Sequence, residues 1–439
     1  MPGFFGKPLH SILLPHRKAT MDRPVQSMPV PPQVVIPMQQ HIGPPAKPLV
    51  AKGDEVQVGQ LIADNEAPLG VPMHSSVSGT VVEIGSLMLP KGQVCETIVI
   101  DSDEKQTISR SVVPPNIGSF DSFIAAVRAS GMVGLGGAGF PTYVKYSPKN
   151  LDQVKLLLLN GAECEPYITS DYRTMMEQGM DILDGLEVIL KYLDIPQCII
   201  GVERNKPEAI YRLTELIKEK HMTDTVSVVS LPSTYPQGAE KVLIYQLTGK
   251  IMPEGGLPAD IGVLVSNVAT VAELGVYFRT GMPLVSRPIT IDGNAITRPK
   301  NVLVSVGTPV NNVIAFCGGY KKDPRKILMG GPMMGITLRE ETFPILKNNN
   351  AILAFSTSFA PRYKESSCIH CGKCIRSCPM NLMPTQLKEA FDRRDNEALR
   401  ELSVGLCIEC GNCSYVCPAR LELVEAFRLG KARLRKGGK

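Results

Sequence analysis

The chain has 439 residues, 20% of them charged and 44% hydrophobic, and a net charge of +5. That length calls for about three or four domains. The charge is too small to argue for a nucleic-acid partner, and no apolar run reaches the roughly 18 residues of a membrane-spanning helix; the most apolar stretch, 261–278, is broken by Asn267 and Glu273.

Residues 1–33 are proline-rich, with Lys7, Arg17, Lys18 and Arg23 and little periodicity, and read as an extended arm that needs another surface to lie on. From 34 to 102, short β-type runs (34–36, 49–50, 55–62, 79–84) separated by Gly, Pro and Asp predict a small all-β sandwich. The phrases Lys52-Gly53-Asp54-Glu55-Val56 and Ser78-Gly79-Thr80-Val81-Val82 resemble the barrel-sandwich hybrid of lipoyl and biotinyl domains. No lysine stands between 64 and 77, where those carriers attach their cofactor, so the module reads as structural rather than as a swinging arm.

Between 115 and 282 helical and strand patterns alternate: a helix over 121–130, a strand over 154–159, a helix over 173–193, a strand over 197–202, a helix over 207–220 and a strand over 226–229. Such alternation predicts a largely parallel α/β sheet with helices on its faces. Residues 285–340 return to strands and turns, with Asp292-Gly293 as a hairpin signal. A last module over 360–430 contains a helix beginning near Pro384 that carries Leu387, Phe391, Leu399 and Leu402. The end is basic (Arg428, Lys431, Arg433, Arg435, Lys436, Lys439) and reads as a frayed, solvated tail in preference to a lipid-binding one.

Eight of the twelve cysteines fall in two copies of C-x₂-C-x₂-C-x₃-C-P: Cys368, Cys371, Cys374 and Cys378, then Cys407, Cys410, Cys413 and Cys417. This is the bacterial two-cluster ferredoxin run, in which the fourth cysteine serves the other cluster. On that pattern Cys368, Cys371, Cys374 and Cys417 hold one [4Fe–4S] cluster, and Cys407, Cys410, Cys413 and Cys378 the other. Zinc sites commonly use two separated pairs and need no repeated Cys-Pro. A disulfide framework needs an oxidising compartment, and Met1-Pro2-Gly3-Phe4-Phe5 does not open a signal peptide. Of the other cysteines, Cys198 reads as core, and Cys164 lies in a candidate cofactor loop.

Two further segments carry chemistry. Gly134-Leu135-Gly136-Gly137-Ala138-Gly139-Phe140 packs glycines where backbone N–H groups can cradle a phosphate or flat ring, with Lys145 in reach; a plain glycine-rich turn against a helix is the other reading. Asn160-Gly161-Ala162-Glu163-Cys164-Glu165-Pro166 follows the expected buried strand at its C-terminal end, where open α/β sheets bind ligands.

With these residues the chain resembles the C subunits of Rnf complexes, the ion-translocating ferredoxin:NAD⁺ oxidoreductases of bacterial membranes. Its middle is also similar to the NADH-oxidising flavoprotein subunit of respiratory complex I. The resemblance implies a module order of barrel-sandwich hybrid, Rossmann-like flavin/NADH domain, β-grasp (SLBB-like) domain and two-cluster ferredoxin domain. It implies that Gly134, Gly136, Gly137 and Lys145 contact FMN, with Asn160 at its strand end and Phe140 stacking on a ring. Glu163 and Glu165 would act beside flavin and nicotinamide. Tyr235, Gly238 and Glu240 in one loop, and Asn267 and Thr270 in another, would complete the pocket. Complex I has arginine at the position of Leu135 and a Gly-Glu-Glu run at Gly238-Ala239-Glu240. The implied protein is a peripheral subunit on the cytoplasmic face of the membrane, binding NAD(H) and receiving ferredoxin-derived electrons through partner subunits. A cobalamin-reductase-like or amino-acid-reductase-donor enzyme is disfavoured by module order, and a cluster-only relay without a working flavin site is the remaining alternative.

Overall fold

The structure is a computed structural model that describes residues 9–90 and 92–436, the last without its side chain. Met1 to Phe5, Lys7 and Lys439 lie outside the described residues. The first module pairs a four-stranded antiparallel sheet, in the order Gln33–Pro37, Val94–Ser102, Gly79–Met88, Glu55–Val56, with a three-stranded one made by Lys47–Pro48, Leu61–Asp64 and Met73–His74. Alternate residues point inward, so Val34, Ile36, Ile62, Val81, Ile98 and Ile100 share one core between the sheets. The run expected as a strand at Leu49-Val50 falls just past Lys47–Pro48, where Leu49 is exposed. The stretch between the module's halves is docked. Arg128 holds Asp64 through two hydrogen bonds of 2.8 and 3.1 Å, and buried Lys347 donates to the carbonyls of Pro72 and Gly131, each at 2.8 Å.

The second module is a parallel sheet in the order Val226–Leu231, Gln197–Glu203, Leu156–Gly161, Val263–Asn267. Leu157, Leu158 and Leu159 are all buried because helices cover both faces, which explains the continuous apolar run. The single helix expected over 173–193 is two, Ser170–Glu177 and Gly179–Leu193, broken at Gln178. The break lets Gly179 sit against Leu216, whose Cδ1 would be 2.5 Å from a Cβ there. Helices Gly179–Leu193 and Val268–Thr280 cross backbone to backbone. A Cβ on Gly185 would lie 2.3 Å from the Val271 carbonyl, and one on Gly275 would lie 2.1 Å from that of Asp181.

The third module is a six-stranded sheet ordered Val25–Ser27, Lys300–Ser305, Ser286–Asp292, Ala351–Ser356, Pro324–Met329, Ile336–Thr337, packed on helix Val310–Phe316. The sheet thus extends beyond 285–340 at both ends: the arm supplies an edge strand parallel to Lys300–Ser305, and Ala351–Ser356 is central. In the last module the two cysteine runs fold alike. Each places its third cysteine on a four-residue helix (Lys373–Arg376, Asn412–Tyr415) after a left-handed glycine, Gly372 or Gly411. The helix expected from Pro384 onward divides into Pro384–Asp392 and Asn396–Glu401, because Arg394 is left-handed and Asp395 caps the second segment by accepting from the Ala398 N–H at 2.9 Å.

The tail is not frayed over the described residues. Leu423–Lys436 is a helix whose Phe427 is core, whose Arg428 and Lys431 pair with Glu409 at 3.0 and 2.7 Å, and whose Arg433 donates to Asn396 Oδ1 at 2.7 Å.

The glycine crossing is the tightest constraint on helix Val268–Thr280, which carries Thr270. Gly185→Val is expected to destabilise the chain by about 1–3 kcal/mol through overpacking, seen as a lower urea midpoint, whereas Gly53→Ala, with nothing near its Cβ position, tests only the cost of a left-handed backbone.

Candidate cofactor sites

Adjacent strands Leu156–Gly161 and Val263–Asn267 end together, with Asn160 and Asn267 as register partners. Asn160 Nδ2 donates to the Gly238 carbonyl at 2.9 Å, and its Oδ1 accepts from the Ala162 N–H at 3.1 Å. Asn267 caps the following helix through Oδ1 and donates through Nδ2 to Asp171 at 2.7 Å. The glycine-rich loop hangs over these strand ends. The Gly134 N–H closes it on the Phe140 carbonyl at 2.8 Å, and the Leu135 N–H donates to Thr270 Oγ1 at 3.0 Å.

Leu135 is only 2% exposed and seats the loop on the core, while Gly136, Gly137 and Ala138 form an exposed tip. At Gly136 (φ +72°) a Cβ would face Asn267 Nδ2 at 3.6 Å, Asn350 Nδ2 at 3.7 Å and Asp171 Oδ2 at 4.0 Å; Gly137 has nothing within 4 Å. The open space beside the tip is therefore rimmed by amides and one carboxyl group. Asn348 Nδ2 also holds the Gly137 carbonyl at 3.0 Å.

Lys145 sits at the end of the short helix Thr142–Lys145. Its Nζ donates to the Val265 carbonyl at 2.9 Å and lies 3.9 Å from Glu240. Burial pulls its ammonium pKa down, and Glu240 opposes that. Phe140 is half-buried at the loop's closing end.

Glu163 and Glu165 are placed differently from reacting groups. The Glu163 carboxylate accepts from the Asp171 and Tyr172 N–H groups at 2.7 and 3.3 Å, at the start of helix Ser170–Glu177, and stands 3.9 Å from Lys18. The Glu165 carboxylate accepts from the Met333 and Met334 N–H groups at 3.1 and 2.9 Å, clasping a loop of the third module. Burial pushes each carboxyl up to about 7, against the pull of these donors and of Lys18. Both hold backbone in place.

The arm's Lys18 donates to the carbonyls of Glu163 and Glu165, each at 2.9 Å, and to that of Ile168. Buried Lys206 donates to the Ala162 carbonyl at 2.8 Å and to Glu203 at 2.5 Å. Sequence reasoning misses the roles of Lys18, Lys206, Asp171, Asn348 and Asn350; none stands in a motif, and each reaches the site through folding alone. Cys164 is a partly buried acceptor for the Gly238 N–H at 3.3 Å, and desolvation raises its thiol to about 12, away from the thiolate a reactive cysteine needs.

In the last module Cys378, Cys407, Cys410 and Cys413 line one small recess, walled by Pro379, Met380, Leu382, Val424 and Phe427. Cys374 lies close enough to Cys417 and Cys368 to interact with both electrostatically. Each fourth cysteine is thus grouped with the other run. The first cysteines are also alike: the Cys368 sulfur accepts from the His370 N–H and the Cys407 sulfur from the Glu409 N–H, both at 3.4 Å, with His370 and Glu409 left-handed. Burial raises the Cys410 thiol to about 12. Four sulfurs around an apolar recess, those of Cys410 and Cys413 buried and the other two partly so, suit a group whose own positive charge makes them thiolates. Tyr235, 1% exposed, joins this module to the α/β module by donating its O–H to the Cys410 carbonyl at 2.8 Å.

Comparison with known proteins agrees module by module. Residues 10–105 match the RnfC barrel sandwich hybrid domain, 127–275 the Nuo51 FMN-binding domain, 288–337 the SLBB domain and 367–421 the 4Fe-4S dicluster domain. The chain is 43% identical over 374 residues to the C subunit of the proton-translocating ferredoxin:NAD(+) oxidoreductase complex of Clostridium ljungdahlii, covering 84% of this chain and 81% of that one. It is 39% identical over 423 residues to the C subunit of the ion-translocating oxidoreductase complex of Rhodobacter capsulatus, covering 95% and 81%. It is 40% identical over 385 residues to the C subunit of the Na(+)-translocating ferredoxin:NAD(+) oxidoreductase complex of Acetobacterium woodii, covering 86% of each. Among solved structures, a chain of an NAD+-reducing [NiFe]-hydrogenase in the air-oxidized state shares the fold, with a TM-score of 0.51 at 16% identity over 70% of this chain and 63% of that one. With relatives this similar along most of its length, the chain belongs to the RnfC family, the C subunits of ion-translocating ferredoxin:NAD⁺ oxidoreductase complexes.

Proposed function

We propose that this chain is the peripheral electron-transfer subunit of a membrane-bound Rnf-type complex, exchanging hydride with NAD(H) at FMN and passing single electrons through two [4Fe–4S] clusters. The observation that carries this reading is the exposed tip at Gly136, Gly137 and Ala138. It borders open space above two parallel strand ends, in a chain that also gathers cysteines from two ferredoxin runs around one recess. No described helix is long and apolar enough to cross a membrane. In this reading, docking on integral subunits at the cytoplasmic face supplies the membrane association.

Bound flavin would accept the two electrons of one hydride and release them one at a time. This chain's residues would hold and shape that site. Gly134, Gly136 and Gly137 bring backbone N–H groups to the ligand, Lys145 offers a cation to its phosphate, and Phe140 borders a ring. Asn160, Gly238, Asn267 and Thr270 fix the loops, and Glu240 holds Lys145. Glu163 and Glu165 act as positioning residues, setting the loop that follows the central strand. Cys368, Cys371, Cys374 and Cys417 would hold one cluster, and Cys378, Cys407, Cys410 and Cys413 the other. The relay alternative rests on Leu135 and Ala239. Leu135 holds the loop in place through both its buried side chain and its N–H, so the loop keeps its position without an arginine there.

Anaerobically purified protein is expected to show a visible flavin band bleached by NADH and about eight iron atoms per chain. Lys145→Ala should lower FMN affinity at least about tenfold, the scale of one charge-assisted contact. Protein that takes up iron but no FMN on reconstitution would instead be a relay.

Glu165 gives a pH test. Its folded value near 7 lies above the ordinary carboxyl value of 4.5, so its proton is held more tightly in the folded state. The resulting stabilisation is fully present below about pH 4.5 and is lost as pH rises through about 7. Glu165→Gln should remove this decline, so wild type loses stability relative to the variant between about pH 5 and 8. Urea midpoints across that range check it; parallel curves would place the burden elsewhere.

A further inference from the structure

The two cluster sites are not equivalent with respect to the pocket. The loop that gives Gly238 to the strand end also carries Tyr235, three residues earlier. The Tyr235 O–H donates to the Cys410 carbonyl at 2.8 Å, and Asn412 Nδ2 returns a contact of 3.4 Å to the Tyr235 carbonyl while also holding the Ser377 carbonyl at 3.0 Å. Around this seam Leu14, Tyr235 and Cys410 are buried together, with Cys164, Met333 and Ile408 packed against them. At Gly411 a Cβ would lie 3.0 Å from the Met333 carbonyl, so backbone of the second cysteine run lies directly on the loop that Glu165 clasps.

The first run is more exposed and shows no such seam among the described residues. Residues 361–367 are exposed throughout, Tyr363 and Ile369 are 61% and 67% exposed, and His370 is exposed. Among the described residues the hydrogen bonds of 366–376 end within the cluster module: Ser366 N–H on Ala419, His370 N–H on Cys368 and Arg376 on Cys371.

We infer that the cluster held by Cys378, Cys407, Cys410 and Cys413 is the inner one, exchanging electrons directly with the flavin pocket. Tyr235 is the positioning residue that fixes its distance, and the cluster of Cys368, Cys371, Cys374 and Cys417 is the outer one, open to a partner. The inference rests on the proposed function for the identity of the donor at the pocket. Each transfer moves one electron and no atom. The inner cluster is oxidised as the outer is reduced, or the reverse, and the shared exchange of Cys378 and Cys417 between runs keeps the two clusters in one small domain. Because electron tunnelling through protein falls steeply with separation, the cluster whose ligand run lies on the pocket's own loops is the favoured point of entry. From the pocket side, Gly238-Gln237-Pro236-Tyr235 and one hydrogen bond reach a residue carrying an inner-cluster ligand.

The test uses the full chain loaded with iron, sulfide and FMN. Glu409→Gln and His370→Ala, each two residues past the first cysteine of a run, mark the inner and outer clusters by shifting one midpoint each in a dithionite titration followed by EPR. Tyr235→Phe is expected to shift the midpoint of the cluster marked by Glu409→Gln alone. A soluble dysprosium chelate should relax the signal marked by His370→Ala more strongly, and after rapid mixing with NADH the inner signal should develop first. A Tyr235→Phe shift confined to the outer cluster, equal relaxation of both signals, or prior filling of the outer cluster would overturn the order. The titration and the chelate need neither NADH nor a working flavin site. Failure of NADH to bleach the flavin therefore counts against the proposed function, while the inner and outer assignments are judged separately.

Discussion

The ammonium of Lys18 is the contact on which the site's geometry most depends. It is buried, and it satisfies carbonyls of Glu163, Glu165 and Ile168, in a loop that turns back from a parallel strand with Glu163 and Tyr167 left-handed. Such a turn leaves carbonyls pointing inward with no sheet partner, and each would cost on the order of 1–3 kcal/mol if unpaired. A lysine suits the task because three donors radiate from one atom. Its charge in turn is offset by the Glu163 carboxylate, which is held on the N–H groups that open helix Ser170–Glu177, where a helix favours a negative group. Lys206 and Glu203 repeat the arrangement one strand over. Buried pairs of this kind add little net stability, but removing one partner strands a charge. Their effect is to allow only one shape for the loop.

From that loop the constraint spreads outward. Glu165 clasps the backbone at Met333 and Met334, and the same third-module backbone meets Gly411 of the second cysteine run. The arm that supplies Lys18 continues as a strand beside Lys300–Ser305. Buried Lys347 joins the first module to the second, and Asn348 and Asn350 then reach the glycine tip. The pocket is therefore a junction of modules. It is pre-organised by buried polar contacts between residues far apart in the sequence, which is what a site orienting a flat cofactor needs.

That long-range wiring also marks where sequence reading stops. The cysteine runs, the buried strand 156–161 and the glycine-rich loop are local patterns: their meaning lies in spacing, apolar continuity or the backbone freedom of glycine. The proline-rich arm looks featureless because one edge strand of three residues and one lysine carry no periodicity. Asn348 and Asn350 follow no motif, yet their amides reach the tip. Glu163 and Glu165 do stand at a strand end as their position suggests, but which way a carboxylate turns depends on unpaired N–H groups elsewhere in the fold. The break at Gln178 is hidden because apolar periodicity runs on across it, while the close approach of Gly179 to Leu216 that accompanies it involves another helix.

The basic C-terminal helix shows how such wiring changes a functional reading. A run of cations at a chain end invites lipid or an acidic partner. Here Arg428 and Lys431 converge on Glu409, whose carboxyl is held below its ordinary value despite burial, and Lys431 also donates to the Cys407 carbonyl at 2.7 Å. Arg433 lies over Phe391 and holds Asn396. The apolar face of the same helix supplies Val424 and Phe427 to the wall of the cysteine recess. A cation engaged by an internal carboxylate and a cysteine carbonyl has little field left for a distant surface, since pairing and salt both screen it. What it does have is proximity to a site that will carry negative thiolates, where fixed positive charge favours the reduced, more negative cluster and offsets the opposing effect of a dry wall. The tail's charge is thus better understood as part of the cluster's own surroundings than as an anchor.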